Sequence, residues 1–245
     1  MDPTTLLIVM TVIFISCLMM GMTSFGFAMI AVPLLSLFVP LQTVVPVLIL
    51  YSLVLNIILL LPLYKYRELT NMGYLIWAGI IGTPLGTLLL LLLDEKILKI
   101  AIGLVIIAFA WSIYTNHTIT IKNEKLGNLT AGLLSGLLNG STSMSGPPII
   151  LLYSNNGVDK QVFRANLAVY FLILTIVAIP SMYFNGLLTP EVIHFSAAAY
   201  PALITGGIGI LMGNKIGNKI NHAAFHKLSL ILVIIMGVLS ILSCL

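Results

Sequence analysis

Runs of about twenty apolar residues recur along this chain, and two of them are interrupted by small polar residues where a continuous helix would be expected. A bilayer supplies no water to backbone N–H and C=O groups, so such runs can cross it only as helices, or as irregular backbone sheltered by protein or a wet cavity. Uninterrupted spans are expected at 43–63, 72–93, 97–114, 163–183, 192–212 and 225–241. The interrupted runs are 6–38 and 126–153. The first breaks at Gly21-Met22-Thr23-Ser24-Phe25-Gly26-Phe27 and continues to Pro33; the second breaks at Asn139-Gly140-Ser141-Thr142-Ser143-Met144-Ser145-Gly146-Pro147-Pro148. Charged residues are 7% of the chain, against roughly 25% in a soluble domain. An all-α polytopic membrane protein follows, with no room for a soluble domain.

The two breaks fall in corresponding places. Residues 1–118 and 126–245, joined by a linker at 119–125, each read as a broken or re-entrant helical hairpin followed by three transmembrane helices. Glycines echo between them: Gly79, Gly82 and Gly86 repeat the spacing of Gly206, Gly209 and Gly213. Loop charge tests the threading, because cytoplasmic loops carry the excess of Lys and Arg. If each break is a hairpin of two short helices that enters and leaves on one side, Lys and Arg divide 9 to 2, with Lys96 and Lys99 opposed to the rest. If each break crosses once, they divide 7 to 4. The hairpin threading makes the halves inverted repeats in a cell inner membrane, with both termini extracytoplasmic. The start, Met1-Asp2-Pro3, lacks the basic region of a signal peptide and reads as the lead-in to a retained segment.

Paired Gly/Pro-interrupted segments point to the substrate site of a transporter. The formal charge of +4 is carried by loop lysines, without the basic cluster and interleaved aromatics of a nucleic-acid binder. Cys17 and Cys244 sit in apolar runs and suggest neither disulfide nor metal. His222 and His226 share a helix face, but no third metal ligand is evident. No cofactor is implied.

The residues carry a resemblance. Gly21 to Leu35, with Pro33 inside it, resembles the first signature of the TauE/SafE sulfite exporter family of membrane permeases. Gly136 to Pro148 is similar to its second signature, and Phe163-Arg164-Ala165-Asn166-Leu167 to the segment that follows. The likeness runs along essentially the whole chain. It implies movement of small anions such as sulfite, or of organosulfonates such as sulfoacetate, with export the usual direction. Met22, Thr23 and Ser24 stand where many relatives carry extra glycines.

An anion site also agrees with the polar residues. Every carboxylate lies at or near a loop, so a cation filter or an Asp/Glu proton relay has no residues to use. Helices that begin inside the membrane offer unpaired N–H groups and the positive end of a dipole. The expected lining is Thr23, Ser24 and Gly26 from the first break and Asn139, Ser141, Thr142, Ser143, Ser145 and Gly146 from the second; packing alone is the competing account of these small residues. Arg164 and Asn166 are candidates at the cytoplasmic mouth, although a snorkelling interfacial arginine accounts for Arg164 as well. Asn56, alone in an apolar span, is expected to bond a neighbouring helix rather than a ligand. The glycines repeating every four residues are expected to seat neighbouring helices.

Two other functions use the same residues. A passive anion channel could line its filter with these hydroxyls. An intramembrane serine protease of the rhomboid type is echoed by Ser143-Met144-Ser145-Gly146 with His194 as the base, but the leading glycine is missing and the first break goes unexplained. The reading carried forward is a non-enzymatic permease working by alternating access, with an anionic substrate and the lipid bilayer as partners. A homodimer is the expectation if it associates, since twofold assemblies are the commonest.

Overall fold

The computed structural model describes residues 3–70, 72–94, 96–98, 100–101, 103–104, 123–154 and 159–219. The span expected at 225–241, most of that at 97–114, and His222, His226 and Cys244 lie outside the described residues. Within the described residues the regular structure is helical throughout: α1 (Pro3–Thr23), α2 (Phe27–Leu35), α3 (Leu41–Leu63), α4 (Gly73–Leu92), α5 (Glu124–Thr142), α6 (Gly146–Ser154), α7 (Lys160–Phe184), α8 (Pro190–Ala198) and α9 (Tyr200–Lys219). The helix starts are written into the sequence. Asn123 caps α5 by accepting from the N–H groups of Lys125 and Leu126, and Asp159 caps α7 by accepting from Gln161 and Val162. Thr189 caps α8, with Pro190 in its first turn, where a missing N–H costs nothing.

α1, α3 (with the short turn that extends it to Tyr66), α4 and α7 are long and apolar enough to cross a bilayer, and α8 with α9 would add a fifth crossing if the pair acts as one. Leu7, Leu61, Trp77, Leu92, Phe184 and Ile204 are among many large apolar side chains left exposed. A surface this apolar suits lipid and would aggregate in water.

Two expectations need correction. The span expected at 192–212 is not straight: α8 and α9 meet at an angle of 58° around Ala199. Pro201 supplies the reason: it has no N–H to donate to the Ala197 carbonyl, so the helix cannot run on unbroken from α8 into α9. Likewise, each break was expected to join two short helices. Instead each joins one long arm, of 21 residues in α1 and 19 in α5, to one short arm of 9 residues in α2 and in α6. At 1.5 Å per residue α1 is about 31 Å long, enough to cross the hydrocarbon by itself.

α3 and α7 pack together at the centre, flanked by two close pairs, α1 with α9 and α4 with α5. Each long arm therefore lies against a helix from the other half of the chain. Glycine makes those pairs possible. A Cβ on Gly82 or Gly86 would strike the carbonyls of Leu133 or Leu137 on α5. One on Gly209 or Gly213 would strike those of Phe14 or Leu18 on α1. Looking back from the arms, Gly21 abuts the carbonyl of Ile210 and Gly140 that of Thr83. Backbone approach of this kind is how small residues join membrane helices.

Candidate functional site

Both long arms end in the same unusual turn. Ser24 and Ser143 are the positive-φ residues other than glycine among the described residues, at φ 67° and 61°. This left-handed conformation ends a helix but crowds a Cβ, at a cost of roughly 1–2 kcal/mol. At the first break the Ser24 N–H reaches the Met20 carbonyl at 2.7 Å, and Gly26, at φ 101°, swings the chain into α2. Thr23 ties the turn together: its Oγ1 lies 2.8 Å from the Met19 carbonyl and 2.6 Å from that of Phe25, and it accepts from the Phe25 N–H. At the second break the Ser143 N–H donates to the Asn139 carbonyl at 2.8 Å, and the Ser135 hydroxyl donates to the Ser145 carbonyl at 2.7 Å.

The two turns meet around one small cavity of about 40 Å³. On a measure in which one water needs 10–15 Å³, that is room for about three waters, or a compact oxyanion. Its wall takes Met20, Ser24, Phe25, Gly26 and Phe27 from the first break and Asn139, Ser143, Met144, Ser145 and Gly146 from the second, with Ser52 and Asn56 from α3 and Phe171 and Thr175 from α7; Ala28 and Met29 complete it. Fourteen of these sixteen residues form seven pairs separated by 119 positions: 20/139, 24/143, 25/144, 26/145, 27/146, 52/171 and 56/175. None carries a formal charge.

Two buried polar atoms in this wall lack any protein partner, the Ser24 hydroxyl and the Asn56 carbonyl oxygen. Leaving such atoms dry and unpaired costs on the order of 1–3 kcal/mol each. Asn56 Oδ1 thus does not make the helix–helix bond expected of it. The neighbouring hydroxyls are occupied: Thr175 donates to the Phe171 carbonyl at 2.8 Å, and Ser52 lies 3.2 Å from the Thr175 hydroxyl. Asn139 donates to the Leu174 carbonyl at 3.4 Å, which ties α5 to α7.

Backbone donors differ between the two short arms. The first N–H groups of a helix have no intrahelical acceptor. In α2 these belong to Phe27, Ala28 and Met29, all in the cavity wall, and no side chain caps them. In α6 the first turn is Gly146-Pro147-Pro148, and proline has no N–H to offer. The donor-rich helix start expected at both breaks therefore exists only at the first.

The matching family model is "Sulfite exporter TauE/SafE", and it covers residues 9–240. The chain belongs to the sulfite exporter TauE/SafE family. That is a transporter family, and the long apolar helices fit a multi-pass membrane permease. No individually curated protein and no solved structure matches the chain.

Of the residues singled out from sequence, Ser24, Gly26, Asn139, Ser143, Ser145 and Gly146 stand in the cavity wall, and Thr23, Ser141, Thr142, Arg164 and Asn166 do not. Ser141 and Thr142 turn their hydroxyls back to the carbonyls of Leu137 and Leu138. Asn166 exchanges two 2.9 Å bonds with the backbone of Glu68, fastening the loop after α3 to α7. Arg164 is wholly buried and so does not snorkel. Its guanidinium donates to the Gly21 carbonyl on α1 and to Asn214 (2.8 Å) and Asn218 (2.9 Å) on α9. There it offsets the negative end of α1 one turn before the break. His194 is exposed on α8, away from the wall, so the serines there have no base beside them. Ser52, Phe171 and Thr175 were not foreseen; mid-span hydroxyls so often bond their own helix that only the packing of α3 on α7 singles them out.

Proposed function

We propose that this chain is an alternating-access permease for a small sulfur oxyanion, sulfite or a compact organosulfonate, bound in the cavity where the two breaks meet. The seven wall pairs at one constant separation carry this reading. A cavity lined twice over by equivalent residues is what two repeats make when they close around a shared site. The helix pairs agree with it: Gly82 on Leu133 and Gly86 on Leu137 correspond to Gly209 on Phe14 and Gly213 on Leu18. Inverted repeats of this kind would let one half rock against the other while the site stays central. The Ser24 hydroxyl and the N–H groups that open α2 supply donors for an anion, and the absence of a fixed cation in the wall favours release over tight capture. Export from the cytoplasm is the direction the family name suggests.

The test is flux in proteoliposomes. Saturable uptake of labelled sulfite, with counterflow, is expected of the wild type; non-saturating current would instead mean a channel. Ser24→Leu and Ser143→Leu, which fill the cavity from either side, are expected to abolish flux while the protein still inserts and elutes as a single species. Normal flux in both would remove the cavity from the pathway.

A further inference from the structure

The cavity wall is neutral, includes three phenylalanines and three methionines, and carries two buried side-chain atoms without a partner, the Asn56 Oδ1 acceptor and the Ser24 hydroxyl. A carboxamide oxygen has lone pairs and no proton. A fully deprotonated oxyanion also offers only lone pairs, so the two would repel across a dry gap. Desolvation adds to this, because the Born cost of entering a low-dielectric site rises with the square of the charge and a dianion pays about four times what a monoanion does. A monoanion that keeps one O–H satisfies both orphans: it donates to Asn56 and accepts from Ser24 and the start of α2.

We propose, building on the transport reading above, that this site selects the singly charged, singly protonated form of a small oxyacid, with Asn56 as the residue that recognises the retained proton. For sulfite this is hydrogen sulfite. The substrate then brings its own proton, and no carboxylate relay in the protein is required. The proton dependence also belongs to the ligand, since the titratable side chains of the surrounding helices are engaged elsewhere. Tyr51 donates to the Ser196 carbonyl, Tyr170 to that of Gly132, and Arg164 to Gly21, Asn214 and Asn218. Cys17 packs against Gly206, while Glu124, Lys125, Asp159, Lys160 and Tyr183 stand at helix ends.

The experiment compares three probes in proteoliposomes holding the full chain. Sulfite loses its second proton near neutrality, sulfate is a dianion throughout, and methanesulfonate is a monoanion without an O–H. Between about pH 6 and about pH 8, apparent affinity for total sulfite should fall towards tenfold per pH unit as the protonated form becomes scarce. The inhibition constant of methanesulfonate should not change with pH, and that of sulfate should be at least about 100-fold weaker than the affinity for hydrogen sulfite. Asn56→Leu should remove the preference for hydrogen sulfite over methanesulfonate, about tenfold, and Asn56→Thr, which keeps an acceptor, should restore part of it. Sulfite affinity that stays flat across this range, or sulfate competing as well as sulfite, overturns the selection while leaving transport intact. Saturable flux of none of the three by inserted wild-type protein overturns the transport reading and this one together.

Discussion

Ser24 and Ser143 turn the chain alike, yet the helices on either side of the two breaks are built differently. After the first, α2 opens with three free N–H groups at Phe27, Ala28 and Met29; after the second, α6 opens with Gly146, Pro147 and Pro148, which together offer one. The starts of the two central helices differ in the opposite sense. α7 carries Lys160, Gln161 and Arg164, bonded to Gly217, Asn218, Asn214 and Gly21. The positions 119 earlier, at the start of α3, are Leu41, Gln42 and Val45, and one bond of 3.5 Å from Gln42 to the Leu90 carbonyl is what remains there. One half supplies donors to the cavity, and the other supplies a stiff short arm and a polar brace. The two turns share a left-handed serine, and the helices around them differ in the polar groups they carry.

The brace gives the largest expected effect. Arg164→Met would leave the buried Gly21 carbonyl without its donor and release Asn214 and Asn218, and hydrogen bonds to a charged group contribute about 1.5–3 kcal/mol each. Arg164→Lys should recover little, because one ammonium cannot reproduce the guanidinium fork. Val45→Ala, at the matching position in α3, removes only apolar contact and should cost about 2 kcal/mol or less. Thermal unfolding in detergent measures all three, and equal losses at 164 and 45 would show that the brace holds nothing the other half lacks.

The donors come next. Ala28→Pro gives α2 the pattern that α6 already has, and a proline in the first turn is tolerated by the helix itself. Losing an N–H that faces an anion should weaken substrate affinity by roughly 10- to 100-fold, the worth of a charge-assisted hydrogen bond. Pro147→Ala restores a donor to α6 and should change affinity by less than about threefold, since the anion is held from the other arm. The reverse ranking in a competition assay would place the anion at α6.

The glycine contacts should instead respond equally. Gly86→Ala and Gly213→Ala each push a methyl into a facing carbonyl, of Leu137 and of Leu18. Overpacking at a close contact costs about 1–3 kcal/mol, and near-equal falls in unfolding temperature are expected. A tolerated substitution on one side would break the correspondence between the two helix pairs.

How legible this was in the amino-acid sequence depends on how far apart the partners lie. The breaks were legible because glycine, serine and proline, which favour turns over helix, cluster inside apolar runs. Asn56 stood out as a lone amide, but whether its oxygen would find a partner depended on α3 packing against α7. Arg164 looked like an interfacial cation because the carbonyl and asparagines that bury it come from α1 and α9, at positions 21, 214 and 218. The kink at Ala199 was marked by Pro201, and the loss of donors in α6 by Pro147 and Pro148; both signals are local and were available.

The smallest expected effect concerns the serines themselves. Glycine occupies the left-handed region freely, so Ser24→Gly and Ser143→Gly should each relieve roughly 1 kcal/mol of backbone strain, partly offset by the greater entropy of the unfolded chain. Stability should hold or rise slightly in both. Transport should separate them from a merely structural pair of turns. Ser24→Gly deletes the unpartnered hydroxyl and should lower sulfite affinity several-fold, about what a neutral hydrogen bond contributes. If flux and affinity survive Ser24→Gly unchanged while stability rises, the serine is there for the turn alone, and its hydroxyl has no share in holding the anion.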